Sequence, residues 1–179
     1  AFLTYSALGP TAGYTVDEFR TAIGVLPRQG LEECAQALYQ ALEGAADQRE
    51  DYWTYRVQPF WQHVWPKSRD LATPRISESL IRLIIAARGK FPEALAAAHA
   101  WLKPIEHPHY IVNLLHESGL CRQFPADALG LLNAVIADQQ WAPPKLGPCL
   151  NEIVSAASQL AIDARYLRLF EYARRRGIP

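Results

Sequence analysis

Apolar positions along this chain recur at helical spacing, most clearly between Asp51 and Trp65, which reads DYWTYRVQPFWQHVW. Trp53, Val57, Phe60, Trp61 and Val64 fall at i, i+4, i+7, i+8 and i+11, one stripe of an α-helix. Each buried aromatic of this size removes roughly 150–250 Å² from water. The pattern therefore predicts a helix over about 47–65 that anchors a core. Pro59 sits inside it and takes away one backbone hydrogen bond. Because the stripe passes through the proline without changing phase, a kinked continuous helix is expected rather than a break.

The same spacing organises the rest. Thr15-Val16-Asp17-Glu18 has the form of a capping box and starts a short helix to about Gly24. Leu31, Cys34, Ala35, Leu38 and Leu42 form a stripe ending at Gly44. After the polar connector 67–73, Thr73-Pro74 pairs a capping hydroxyl with a proline at the first helical position. Ile76, Leu80, Leu83, Ile84 and Ala87 follow as a stripe so apolar that the helix should be sandwiched, with Gly89 as its stop. Further helices are expected from Phe91-Pro92 to about Lys103, from His109 to Ser118 with Gly119 closing, and from Phe124-Pro125 to about Asp138. Leu150, Ile153, Val154 and Ala157 mark another, and Asp163 caps a last one through Arg176. Period-two alternation is absent, so no strand is expected.

Composition sharpens this picture of an all-α protein. A chain of 179 residues, half of them hydrophobic, has enough apolar material for a sizeable core and is not a disordered tail. Lys plus Arg and Asp plus Glu both total 18, so no overall field favours nucleic acid or an anionic membrane. No apolar run approaches the roughly 18 residues that cross a bilayer, and no signal peptide is visible at the start. Cys34, Cys121 and Cys149 lie far apart without CxxC spacing, which reads as buried filler in a reducing cytoplasm. There is no methionine, and the opening AFLTYSAL is apolar from its first residue. The chain is accordingly expected to be a piece of a larger polypeptide.

An internal echo is present. Phe91-Pro92 with Ala94-Leu95 recurs as Phe124-Pro125 with Ala128-Leu129, and a leucine-rich helix ending in glycine, at Gly89 and Gly119, precedes each. This period and helix–turn–helix content over 74–177 resemble tetratricopeptide-like or HEAT-like helical repeats. The Trp-Leu-Gly-Tyr signature of true tetratricopeptide repeats is missing. The segment YWTYRVQPFWQHVWPK is similar to helical accessory regions of large bacterial multi-domain proteins, some linked to NTPase defence systems. The resemblance implies a scaffold role inside such a protein. No GxxxxGK[ST], GxGxxG or GxSxG motif stands in the chain itself.

Candidate chemistry is sparse. His107, His109 and His116, with Glu117, are the residues most suited to a metal, but they lack the i, i+4 or cysteine spacing of zinc sites, and the plainer reading is a turn plus a surface histidine. Cys121 with His116 or His99 has the residue types of a nucleophile and base, without an orienting third group. His99 lies between Leu95 and Leu102 on an otherwise apolar helix face and reads as a hydrogen-bonded core or groove histidine rather than an acid–base catalyst, and His99 and Trp101 are candidates for partner contact. Charge is uneven locally: Glu32, Glu33, Glu43, Asp47, Glu50 and Asp51 face only Arg49 over 31–51. The last helix carries Arg165, Arg168, Arg174, Arg175 and Arg176 against Asp163 and Glu171. Arg165, Arg168 and Arg175 share its solvent side. They are read either as cations complementing the helix C-terminus, as contacts for an acidic partner, or as phosphate contacts.

The expectation is one all-helical domain over 1–179, with N-terminal helices in 1–66 and the repeat-like region in 74–177. About eight helices should form antiparallel pairs, as an irregular bundle or a short α-solenoid. The expected role is a non-catalytic, cytoplasmic scaffold or protein-interaction module. No cofactor or metal is expected. Its partner would be a protein or other domains of the same chain. The rival roles are a nucleic-acid-contacting accessory domain and a small enzyme that depends on histidine or cysteine.

Overall fold

A computed structural model describes residues 15–138 and 140–178, so the AFLTYSAL segment lies outside the described residues. The fold is all-α: the described residues hold ten helices and no strand, a somewhat higher count than about eight. Packing divides the chain into two compact units, 1–102 and 103–179, and the polar connector 67–73 lies inside the first.

The first unit begins with α1 (Val16–Gly24), opened by the expected capping box: Thr15 Oγ1 accepts from Glu18 N–H, and Thr15 N–H donates to Glu18 Oε2. Helix α2 (Arg28–Gly44) packs along α4 (Pro74–Ala86), which is the most enclosed element of this unit. Ile76, Leu80, Ile81 and Ile84 in α4 are completely buried, as the unbroken apolar run required. Thr73 caps α4 by accepting from Ile76 N–H and donates its own hydroxyl proton to Glu32 Oε1 at 2.8 Å.

The aromatic stretch is helix α3, three consecutive turns of different pitch: Arg49–Tyr52, the π-turn Trp53–Val57, and Gln58–His63. Its stripe is buried as read from the sequence, with Trp53, Val57, Phe60, Trp61 and Val64 all at 8 % exposure or less. The helix continues through Pro59, and the accommodation is a widened turn. Proline has no N–H to give the Tyr55 carbonyl, so the preceding bonds stretch to i→i+5, with Gln58 N–H on Trp53 O. Trp61 and Trp65 stack at 4.8 Å, and Trp101 meets both edge-on at 6.4 and 5.3 Å. Trp61 Nε1 donates to Ala97 O at 3.0 Å, tying α3 to α5 (Phe91–Ala98).

In the second unit, α6 (His109–Glu117) ends at Gly119, which takes φ +74°. The chain then re-enters helix at once as α7 (Leu120–Gln123), a short element with no separate sequence signal. Helix α8 (Pro125–Val135) leads through the loop to α9 (Leu146–Ala156), and α10 (Ala164–Arg175) is the last helix. Helix α9 is the centre of this unit, touching α6, α7, α8 and α10. Asp163 caps α10 by accepting from Arg165 N–H.

Candidate functional site

Helix α10 buries Tyr166, Leu169, Tyr172 and Ala173 and turns its arginines outward. The three candidate arginines meet different fates. Arg165 folds back on its own helix cap, donating to both oxygens of Asp163 at 3.0 and 2.7 Å. That pairing holds the Asp163 carboxyl down at about 2. Arg168 reaches across to the C-terminal end of α8, donating to Asn133 Oδ1, Asn133 O and Ile136 O at 2.9 to 3.1 Å. A cation there satisfies carbonyls that the end of a helix leaves unbonded and complements its dipole. The dipole it serves belongs to the neighbouring helix. Arg168 makes no ion pair with a carboxylate among the described residues, and its bonds go to the amide and carbonyl oxygens of Asn133 and Ile136.

Arg175 donates through Nε to Glu171 Oε1 at 2.9 Å. Glu171 is already held on both oxygens by Arg174, Nε to Oε2 and Nη2 to Oε1, each at 2.9 Å. These hydrogen bonds, Arg174 first and Arg175 second, lower the Glu171 carboxyl to about 2. One carboxylate thus serves two guanidinium groups. Arg176 pairs with Asp138 at 3.0 Å and lies over the Tyr172 ring.

The structure brings Arg168 and Arg175 into one depression of about 260 Å³, lined with Asp138, Glu171 and Tyr172. The Tyr172 hydroxyl donates to Trp141 O at 3.2 Å, which holds beside it a tryptophan that is 73 % exposed. Trp141 belongs to the proline-rich loop and carried no periodic signal in the sequence. Two guanidiniums and two carboxylates line this depression, and Arg174 and Arg176, bonded to Glu171 and Asp138, bring the cluster as a whole to four guanidiniums on two carboxylates. Arginine, tyrosine and tryptophan are the side chains that carry most protein–protein contact energy.

The other candidates lie elsewhere. Trp101 is buried at 5 % within the tryptophan cluster of the first unit, so its side chain serves the core and is withdrawn from any partner surface. His99 is exposed in the same unit. His107 and His109 are exposed as well, while His116 Nε2 stands 3.6 Å from Glu152 Oε1. Among the described residues no group of three or more His, Cys, Asp or Glu is arranged to hold a metal ion. Cys34, Cys121 and Cys149 are all buried and unbridged. A hydrogen bond with Cys149, then burial, pushes the Cys121 thiol well above its ordinary range. That sulfur is a protonated thiol shut away from water, the reverse of the exposed thiolate a nucleophile needs.

A wider cleft of about 420 Å³ lies in the same unit, lined by Arg122, Asn151, Glu152, Ser155 and Ala156. Its one arginine is matched by its one glutamate at 2.8 Å, which leaves no surplus charge to recognise a ligand. The depression on α10 is therefore the stronger candidate.

No protein-family model matches the chain. No solved structure matches it either. The chain is similar to the curated "Uncharacterized protein y4cA" of Sinorhizobium fredii (strain NBRC 101917 / NGR234), 24 % identical over 168 residues that cover 86 % of this chain. The matched stretch is 14 % of that relative's length.

Proposed function

We propose that the chain is a non-catalytic helical interaction module that works within a larger bacterial multi-domain protein, its contact surface being the α10 depression beside Trp141. The observation that carries this reading is a cluster of four guanidiniums on two carboxylates around Tyr172, whose hydroxyl bonds the backbone of the exposed Trp141. The repeat-like succession of short helices supports a scaffold role by analogy with stacked helix pairs, which present extended binding faces. The similarity to a short stretch of a much longer rhizobial protein supports operation inside a larger polypeptide. Three buried, unbridged cysteines suit a cytoplasmic setting.

Nucleic-acid contact is the weaker alternative, because Arg165 and Arg176 are matched by carboxylates and Arg168 spends its hydrogen bonds on a neighbouring helix. The test is a photo-crosslinking residue placed at Trp141 in the parent protein inside its own cells. Capture of one defined protein or domain, lost when Arg175 is also changed to Glu, is the expected result. Crosslinks only to nucleic acid, or none at all, would end this reading.

A further inference from the structure

The hydrogen-bond arrangement on α10 narrows the partner, on the understanding that the chain is an interaction module. We infer that the depression receives a carboxylate side chain from an acidic partner segment, and that Arg175 is the group that takes it.

The argument starts from which guanidinium is free to move. Arg174 already binds both oxygens of Glu171. Arg175 adds a third donor to a carboxylate that is satisfied without it. Turning Arg175 toward an incoming carboxylate therefore leaves no orphaned charge behind. Arg168 has the opposite standing, since its three bonds close the end of α8 and withdrawing them would expose those carbonyls. It stays in place and contributes charge. Arg176 is engaged by Asp138 and Tyr172. Arg174 and Arg175 are equally exposed, at 67 %, and what sets Arg175 apart is that a single bond to Glu171 holds it where Arg174 makes two.

Charge then selects the ligand. The lining contains Asp138 and Glu171 as well as the arginines, so an entering anion meets repulsion at short range. A singly charged carboxylate meets less of it than a doubly charged phosphate, and its planar pair of oxygens matches a guanidinium edge bidentately. Trp141 lies outside the lining but is tied to it by its backbone carbonyl on the Tyr172 hydroxyl, and its exposed indole offers an apolar surface for a residue flanking the acidic one. The partner chemistry that fits is a segment in which glutamate or aspartate adjoins a large apolar side chain.

The test uses fluorescence anisotropy of the intact chain with three labelled probes: a peptide alternating glutamate and leucine, its glutamine-for-glutamate version, and a single-stranded DNA oligonucleotide. The glutamate peptide should bind about tenfold more tightly than the glutamine peptide, the equivalent of about 1.4 kcal/mol. Arg175→Glu should remove that difference. Glu171→Gln should strengthen binding several-fold by freeing both of its arginines. Arg168→Ala is unsuitable as the deciding variant because it also opens the end of α8. Trp141→Ala, at an exposed position, should weaken binding while leaving the helical circular-dichroism signal unchanged.

Equal affinity for the two peptides, no effect of Arg175→Glu, or tighter binding of the oligonucleotide would overturn the inference. If no peptide binds but the crosslink at Trp141 still captures a protein, the carboxylate is wrong and the interaction reading survives. Loss of both would remove both.

Discussion

A residue with a Cβ at φ near +50° carries strain of about 1–2 kcal/mol, and Ala46 (φ 49°) and Arg88 (φ 54°) bear it here. Arg88→Gly should therefore raise the unfolding free energy by about 0.5–1 kcal/mol in a denaturant titration, the usual scale for relieving such a position. An unchanged or lower midpoint would show that the Arg88 side chain contributes more than its backbone costs. From the sequence glycine was expected to end both helices, and α2 does end at Gly44, while the left-handed residues beyond the two helices are Ala46 and Arg88. At Gly89 the reason is tertiary. Glu50 Oε1 accepts from Gly89 N–H at 3.1 Å, a Cβ there would stand 2.5 Å from that oxygen and the glutamate end would have to shift, and the left-handed turn falls to the neighbouring Arg88. A partner 39 residues away leaves no local trace. The caps at Thr15, Thr73 and Asp163 were legible because hydroxyl or carboxylate, N–H and helix all lie within one turn. Acid should act at this scale too. Asp163 and Glu171 are depressed to about 2 from ordinary values of 3.8 and 4.5. The stability they confer is complete above the ordinary carboxylate range and is lost as pH falls from about 4.5 toward 2. Thermal midpoints measured across that window should decline, less steeply in high salt because both groups are partly open to solvent. Asp163→Asn with Glu171→Gln should flatten the slope, and an identical slope in that variant would put the acid sensitivity elsewhere.

Among the helices, the arginines of α10 show how one side chain ties two elements together. Arg168→Ala should destabilise by about 1–2 kcal/mol through the carbonyls it abandons at the end of α8. Lysine there should not restore the loss, because an ammonium does not reproduce the guanidinium fork. Arg175→Ala should stay within about 0.5 kcal/mol of the parent. Equal losses for the two alanine variants in urea unfolding would contradict the cap. From the sequence the arginine side of α10 was recognisable from the apolar stripe Tyr166, Leu169, Phe170 and Ala173, of which Phe170 alone proves exposed, at 45 %. That Arg168 would reach α8 was not recognisable, because a helical period gives the direction of a side chain but not its neighbour. Pro59 teaches the same lesson from the backbone. The stripe showed that α3 would not break, while the form of the repair, a π-turn through Trp53–Val57, depended on which carbonyl the proline deprived.

For the molecule as a whole, helical class followed from periodicity alone, whereas the candidate surface depended on a loop. Trp141 has no periodic partner, and its value emerges only once Tyr172 holds its carbonyl. Trp101 shows the reverse, a residue that looked available and proved to be interior. Trp101→Ala should cost about 3–5 kcal/mol, in the range of large-to-small core changes, and should abolish much of the near-ultraviolet dichroism. A variant as stable as the parent would mean that the cluster contributes little. The placing of the indoles has a practical result. Trp53, Trp61, Trp65 and Trp101 are sheltered together in the first unit, and Trp141 stands in water in the second. Emission at the blue edge of the spectrum therefore follows the interior of 1–102, and emission at the red edge follows one loop of 103–179. A quencher such as iodide should extinguish the red component first, giving each unit its own colour in a single cuvette.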